Sequence, residues 1–114
     1  MVRIETTPTE MTAFLSGELD HHTARGMREQ VDAAVERSSV SRLRLDFSGV
    51  GFMDSSGIGL VMGRYRLMQA RGGTLTVVGA SERILRVMRL AGLERLPVFE
   101  TAAPAAKPKG AYKR

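Results

Sequence analysis

Asp54-Ser55-Ser56-Gly57 places a carboxylate and two hydroxyls where an apolar run ending in Phe52-Met53 gives way to a helical pattern. A helix that starts here presents free backbone N–H groups and about half a positive charge. That is a favourable seat for an anion, including a phosphate carried covalently on serine. Ser55 or Ser56 is therefore a candidate switch. Aspartate and serine are also the preferred helix N-caps, and a loop of this kind, taken alone, is more often a cap than a modification site.

Other chemistry is hard to build from this chain. A nucleophilic serine needs a base within hydrogen-bond reach and a third group to orient it, and the only histidines are His21 and His22. No glycine lies two residues before either serine, so the nucleophile elbow of hydrolases is absent. His21 and His22 are adjacent and point in different directions, with no third ligand cluster, which reads as polar residues around a helix start rather than a metal site. Gly57-Ile58-Gly59 lacks the third glycine of a nucleotide-binding loop and any Walker lysine. With no cysteine, disulfides, thiolate catalysis and zinc–cysteine sites are excluded. The pattern favours binding over catalysis.

The elements that would position the serines alternate. Val2 to Thr6 and Thr12 to Gly17 read as short strands joined through a turn at Pro8, a hairpin at one side of a sheet. After Asp20-His21-His22-Thr23, the apolar residues Ala24, Met27, Val31, Ala34 and Val35 recur at helical spacing. Arg42 to Phe47 alternates charged and apolar residues with a period of two, predicting a half-buried strand. A second helix runs from about Ser55 to Ala70, with Ile58, Val61, Met62, Tyr65 and Met68 on its buried face, and Arg71-Gly72-Gly73 stops it. Thr74 to Val78 reads as a strand covered on both faces and deep in the sheet. Ser81-Glu82-Arg83 opens a third helix that buries Ile84, Leu85, Val87, Met88, Ala91 and Leu93; Gly92 ends it, and Pro97-Val98-Phe99 is a candidate edge strand. This order predicts an α/β domain, because parallel strands need helical crossovers. The serines then sit at the carboxyl end of a strand, at the rim where such folds carry their functional loops.

The 114 residues suffice for one core, placing a domain at residues 1–100. The net charge of +5 is unevenly spread: residues 1–100 hold 13 arginines against 12 acids, whereas residues 101–114 hold Lys107, Lys109, Lys113 and Arg114 and no acid. A basic face for nucleic acid on the folded part is thus not predicted, and the tail over 101–114 is expected to be flexible. No stretch approaches the roughly 20 apolar residues of a membrane span, and Met1 to Glu5 shows no signal-peptide core. A cytoplasmic protein without membrane or DNA contact is expected.

Three segments together carry a family resemblance: Gly17-Glu18-Leu19-Asp20-His21-His22-Thr23-Ala24, Phe52-Met53-Asp54-Ser55-Ser56-Gly57-Ile58-Gly59, and Gly63-Arg64-Tyr65. In this order they resemble the anti-sigma factor antagonists of the sporulation type, which are single STAS domains. The likeness runs from about Met11 to Phe99. It implies a STAS-like α/β fold, a mixed and mostly parallel sheet with helices packed on it. It also implies a non-enzymatic partner switch. The unmodified protein would bind an anti-sigma factor that is also a serine kinase, freeing the sigma factor for transcription. That kinase, which itself holds ATP or ADP, would phosphorylate the serine after the loop aspartate, here Ser55, and a serine phosphatase would reset it. No cofactor is implied on this chain.

By the same resemblance Asp20 lies near Ser55, and Asp20, His21, His22, Thr23, Asp54, Ser56, Gly57 and Arg64 are the expected partner-binding residues, with Arg66 a further exposed position. Ser56 is expected to support the helix start, and Gly57 and Gly59 to allow close partner approach or tight packing. The chain is expected to be a monomer or weak dimer. Related domains commonly close with a further helix, whereas Thr101-Ala-Ala-Pro-Ala-Ala-Lys-Pro-Lys carries two prolines there. A scaffold module of a stress-signalling complex is the alternative, lowered because only about a dozen residues precede the second strand.

Overall fold

The computed structural model describes residues 1–99. Strand β1 (Val2–Thr6) and strand β2 (Glu10–Leu19) form an antiparallel hairpin. Its turn is closed by the Thr7 amide donating to Glu10 O at 2.8 Å. Helix α1 (Ala24–Glu36) leads to strand β3 (Arg42–Met53), helix α2 (Ser55–Ala70) to strand β4 (Thr74–Val78), and helix α3 (Glu82–Leu90) to a 3-10 turn at Leu93–Arg95. The sheet order is β1-β2-β3-β4, with β2, β3 and β4 parallel. The expected α/β architecture, including the hairpin at one side, is the one observed.

Burial follows from strand periodicity. Met11 and Ala13 of β2 lie in register with Leu43 and Leu45 of β3, and these with Leu75 and Val77 of β4; all are buried, as are Leu15 and Phe47. Met27, Val31 and Val35 of α1 and Leu60, Val61 and Met68 of α2 join them in a single core. Sequestering one such side chain, Phe47 for example, contributes about 2–3 kcal/mol. Helix α2 ends where Gly72 takes a left-handed conformation, φ 75°. Its amide donates to Gln69 O at 2.9 Å and that of Gly73 to Met68 O at 2.7 Å, the paired bonds of a glycine-terminated helix.

Several local expectations are corrected. The alternation read over Arg42 to Phe47 and the apolar run into Asp54 are one strand, β3, to Met53, and two register shifts against β2, at Phe14/Ser16 and Gly17/Glu18, insert extra residues on its side. Its buried positions consequently change from every second residue to Phe47, Val50 and Met53. At the first shift a Cβ on Gly49 would lie 2.9 Å from Ser16 Cβ, so only glycine fits the close approach. Strand β4 lies at the end of the sheet, not deep within it: among the described residues only the bridge Val77↔Phe99 lies beyond it. That bridge is what becomes of the edge strand expected at Pro97-Val98-Phe99, and Val77 N donates to Val98 O at 2.6 Å. On α3, Ile84 and Met88 are buried but Ala91 is exposed, and Leu90 is 84% exposed. The expectations of a flexible tail and a missing last helix over 101–114 lie outside the described residues.

Candidate functional site

Parallel pairing of β2 with β3 runs to Leu19↔Met53, so the two strands end side by side. The Asp54 amide donates to Leu19 O at 3.2 Å and ties the two exits together. The four-residue turn Asp20–Thr23 therefore sits next to the first turn of α2, as expected for Asp20 and Ser55.

Asp20 organises its turn. Its Oδ1 accepts from the amides of His22 at 2.9 Å and Thr23 at 3.1 Å. Thr23 Oγ1 accepts from the Asp20 amide at 3.0 Å and donates to Glu18 O at 2.7 Å, bracing the turn against the strand. Desolvation pushes the Asp20 carboxyl up, but the His22 and Thr23 amides, with the nearby His22 ring, outweigh it and hold the carboxyl below the ordinary value of 3.8. His21 and His22 are exposed, with ring centroids 4.0 Å apart. Among the described residues no group of three potential metal ligands occurs.

Asp54 caps α2. Its backbone is extended, φ −108° and ψ −167°, and its Oδ1 accepts from the Ser56 amide at 2.8 Å. The capping reading is thus correct for Asp54, and it leaves Ser55 free. Ser55 is the first residue of the helix, exposed, and its hydroxyl makes no hydrogen bond among the described residues. Ser56 is half-buried and gives its amide to Asp54. Neither serine hydroxyl is hydrogen-bonded to a histidine among the described residues.

Two residues expected at the partner surface are instead inside. A Cβ on Gly57 would lie 2.3 Å from Met53 Cγ and 3.4 Å from Leu19 Cδ2, so Gly57 serves tight packing of α2 onto the strand ends. Arg64 is 7% exposed, and its Nε lies 2.8 Å from Asp32 Oδ1 on α1, an ion pair outside hydrogen-bond angles. Burial lowers the Arg64 pKa while Asp32 opposes it. The buried stripe of α2 is accordingly Gly57, Leu60, Val61, Arg64 and Met68, while Ile58, Met62 and Tyr65 are only partly covered. Arg66 is exposed, as expected.

Some neighbours of the site were not singled out from sequence. Phe52, 49% exposed, stands at the rim, turned outward beyond the second register shift of β3. A groove of about 340 Å³ runs between the first turns of α1 and α2, bordered by His21, Arg25, Arg28, Ser56, Gly59 and Leu60. The spacing of Arg25 and Arg28, one helical turn apart and both outside the apolar stripe, was the available signal.

A mixed sheet whose paired strand ends present an aspartate-capped serine at a helix start defines a small α/β domain of the STAS type. Residues 2–99 match the family described as Mlab, STAS domain, and the chain belongs to the STAS domain family. It is 37% identical over 92 residues to the anti-sigma F factor antagonist of Paenibacillus polymyxa, covering 80% of this chain and 79% of that protein. To the anti-sigma-B factor antagonist of Listeria monocytogenes it is 31% identical over 80 residues, 70% of this chain and 69% of the other. The solved structure of SpoIIAA in its unphosphorylated form is similar at a TM-score of 0.75 and 31% identity, covering 90% of each chain. The phosphorylated Bacillus form is similar at a TM-score of 0.68, covering 90% of this chain and 93% of that one.

Among the described residues, no helix is long and apolar enough to cross a membrane.

Proposed function

We propose that this protein is an anti-sigma factor antagonist, a non-catalytic binding domain acting in the cytoplasm and switched by phosphorylation of Ser55. The unmodified surface around Asp20–Thr23 and the start of α2 binds an anti-sigma factor that is also a serine kinase, which releases its sigma factor. The kinase transfers the γ-phosphoryl group of its ATP to the Ser55 hydroxyl, leaving ADP, and a phosphatase later hydrolyses the ester.

The observation that carries this reading is the exposed, unbonded hydroxyl of Ser55 at the first position of a helix already capped by Asp54. Phosphorylation adds about −1.5 to −2 charges and three acceptor oxygens. The new charge lies at the positive end of α2, so the domain tolerates it without a change of shape. A partner surface fitted to a hydroxyl meets a bulky dianion beside Asp54 and Asp20, and both repulsion and desolvation oppose the complex. A loss of about 3 kcal/mol weakens binding roughly a hundredfold, enough for a switch. The relatives named above, all antagonists of anti-sigma factors, support the partner class.

The test is titration of the host's anti-sigma factor kinases with wild type, Ser55→Ala and Ser55→Asp. Ser55→Ala is expected to bind like wild type and Ser55→Asp at least tenfold more weakly; equal affinity of the two variants would sink the mechanism.

A further inference from the structure

The groove between α1 and α2 has a charge surplus that the fold does not neutralise. Arg25 is paired with Glu29 at 3.2 Å, but both side chains are largely exposed, and a pair of that kind is worth little and is readily exchanged. Asp32, one turn beyond Arg28, is committed to the buried Arg64. Arg28 is thus left with no carboxylate in ion-pair range among the described residues, and its charge is felt at Arg64. The two guanidinium groups that border the groove, Arg25 and Arg28, therefore have one exposed carboxylate, Glu29, to answer them.

The surrounding elements add to the imbalance. The N-termini of α1 and α2 both border the groove, and neither first turn contains an acid. Asp20 and Asp54 keep their charge close by but do not border the groove, each being turned to backbone amides of His22 and Thr23 or of Ser56. His21 also borders the groove. Gly59, with open space where a Cβ would stand, leaves the α2 side accessible to another backbone.

From this charge and shape we infer that the groove docks an acidic segment of the protein partner that receives Ser55, with carboxylates paired to Arg25 and Arg28. The inference rests on the partner-switching reading and deepens it by naming the chemistry of the contact. An extended acidic chain fits better than a lone anion, because the guanidiniums lie along an open groove and no buried polar group converges on a single point. It also gives Ser55 phosphorylation a second lever. A dianion one residue from Ser56, which borders the groove, reduces the positive field that holds the acidic segment.

The probe is a hexaglutamate peptide titrated into isotope-labelled protein at low salt, followed by amide chemical shifts. The expected result is shifts concentrated at Ala24, Arg25, Arg28, Ser56 and Gly59, and affinity at least tenfold weaker in the Arg25→Gln/Arg28→Gln variant, whose changes lie on exposed positions. Shifts elsewhere or none, unchanged affinity in the variant, or the same shifts from inorganic phosphate would overturn the inference. Phosphorylation by host kinases is read in parallel. Peptide binding in the groove with no kinase modifying Ser55 supports the groove and contradicts the switch; the reverse pattern retains the switch and removes the groove.

Discussion

The two strand exits that meet at Leu19↔Met53 solve the same problem in different ways. After β2 the chain takes four residues to reach α1. Asp20 uses its carboxylate to hold the His22 and Thr23 amides, and Thr23, though it stands at the N-cap of α1, makes no capping bond. After β3 a single residue, Asp54, both leaves the strand and caps α2. The first junction is a braced turn that presents imidazoles. The second is so short that the next side chain, Ser55, stands exposed at the helix start with no internal partner among the described residues. The Ser55 hydroxyl is left over because Asp54 has already done the capping.

Three substitutions and one titration test this contrast. The largest effect is expected at Gly57, beneath the second junction: Gly57→Val forces side-chain atoms into Met53 and Leu19. It should destabilise the domain by about 2 kcal/mol, read as a lower urea midpoint at unchanged slope; an unchanged midpoint would show that α2 is not clamped there. Next, Asp54→Ala removes the cap and should cost about 1 kcal/mol in the same assay. Loss of no stability would mean that Ser55 or Ser56 can replace Asp54, and that Ser55 is not free. In the opposite direction, Gly59→Ala falls at an exposed position of α2 with open space at the Cβ. It should raise stability by about 0.5–1 kcal/mol, so that two glycines one residue apart respond with opposite signs.

The smallest effect belongs to the first junction. Because the folded-state pKa of Asp20 is depressed, its contribution is present at neutral pH and is lost as pH falls through a value below 3.8. The amide shifts of His22 and Thr23 should titrate together with a midpoint below 3.8. A midpoint above that value would remove the carboxylate from its bracing role.

Much of this was legible in the residues. Helix α2 begins and ends where the capping aspartate and the Gly72-Gly73 stop place it, since both are local signals. The neighbouring placement of Asp20 and Ser55 followed from the resemblance and not from any local pattern. What stayed hidden depends on distant partners. Strand β3 loses its period of two after Phe47 because the register shifts against β2 add residues on its side, and they also turn Phe52 outward. Arg64 reads as a surface cation until Asp32, on another helix, is seen to neutralise it inside the fold. The buried face of α2 was misjudged because apolar residues occur nearly all round it, so periodicity alone does not orient the helix.

The central claim is that Ser55, and not Ser56, is the switch. The direct measurement is intact mass and peptide mapping after incubation with ATP and the host's anti-sigma factor kinases, on wild type, Ser55→Ala and Ser56→Ala. The account predicts a single phosphate on Ser55 in wild type and in Ser56→Ala, and none in Ser55→Ala. Phosphate on Ser56, or no modification of a folded domain by any of these kinases, would contradict it.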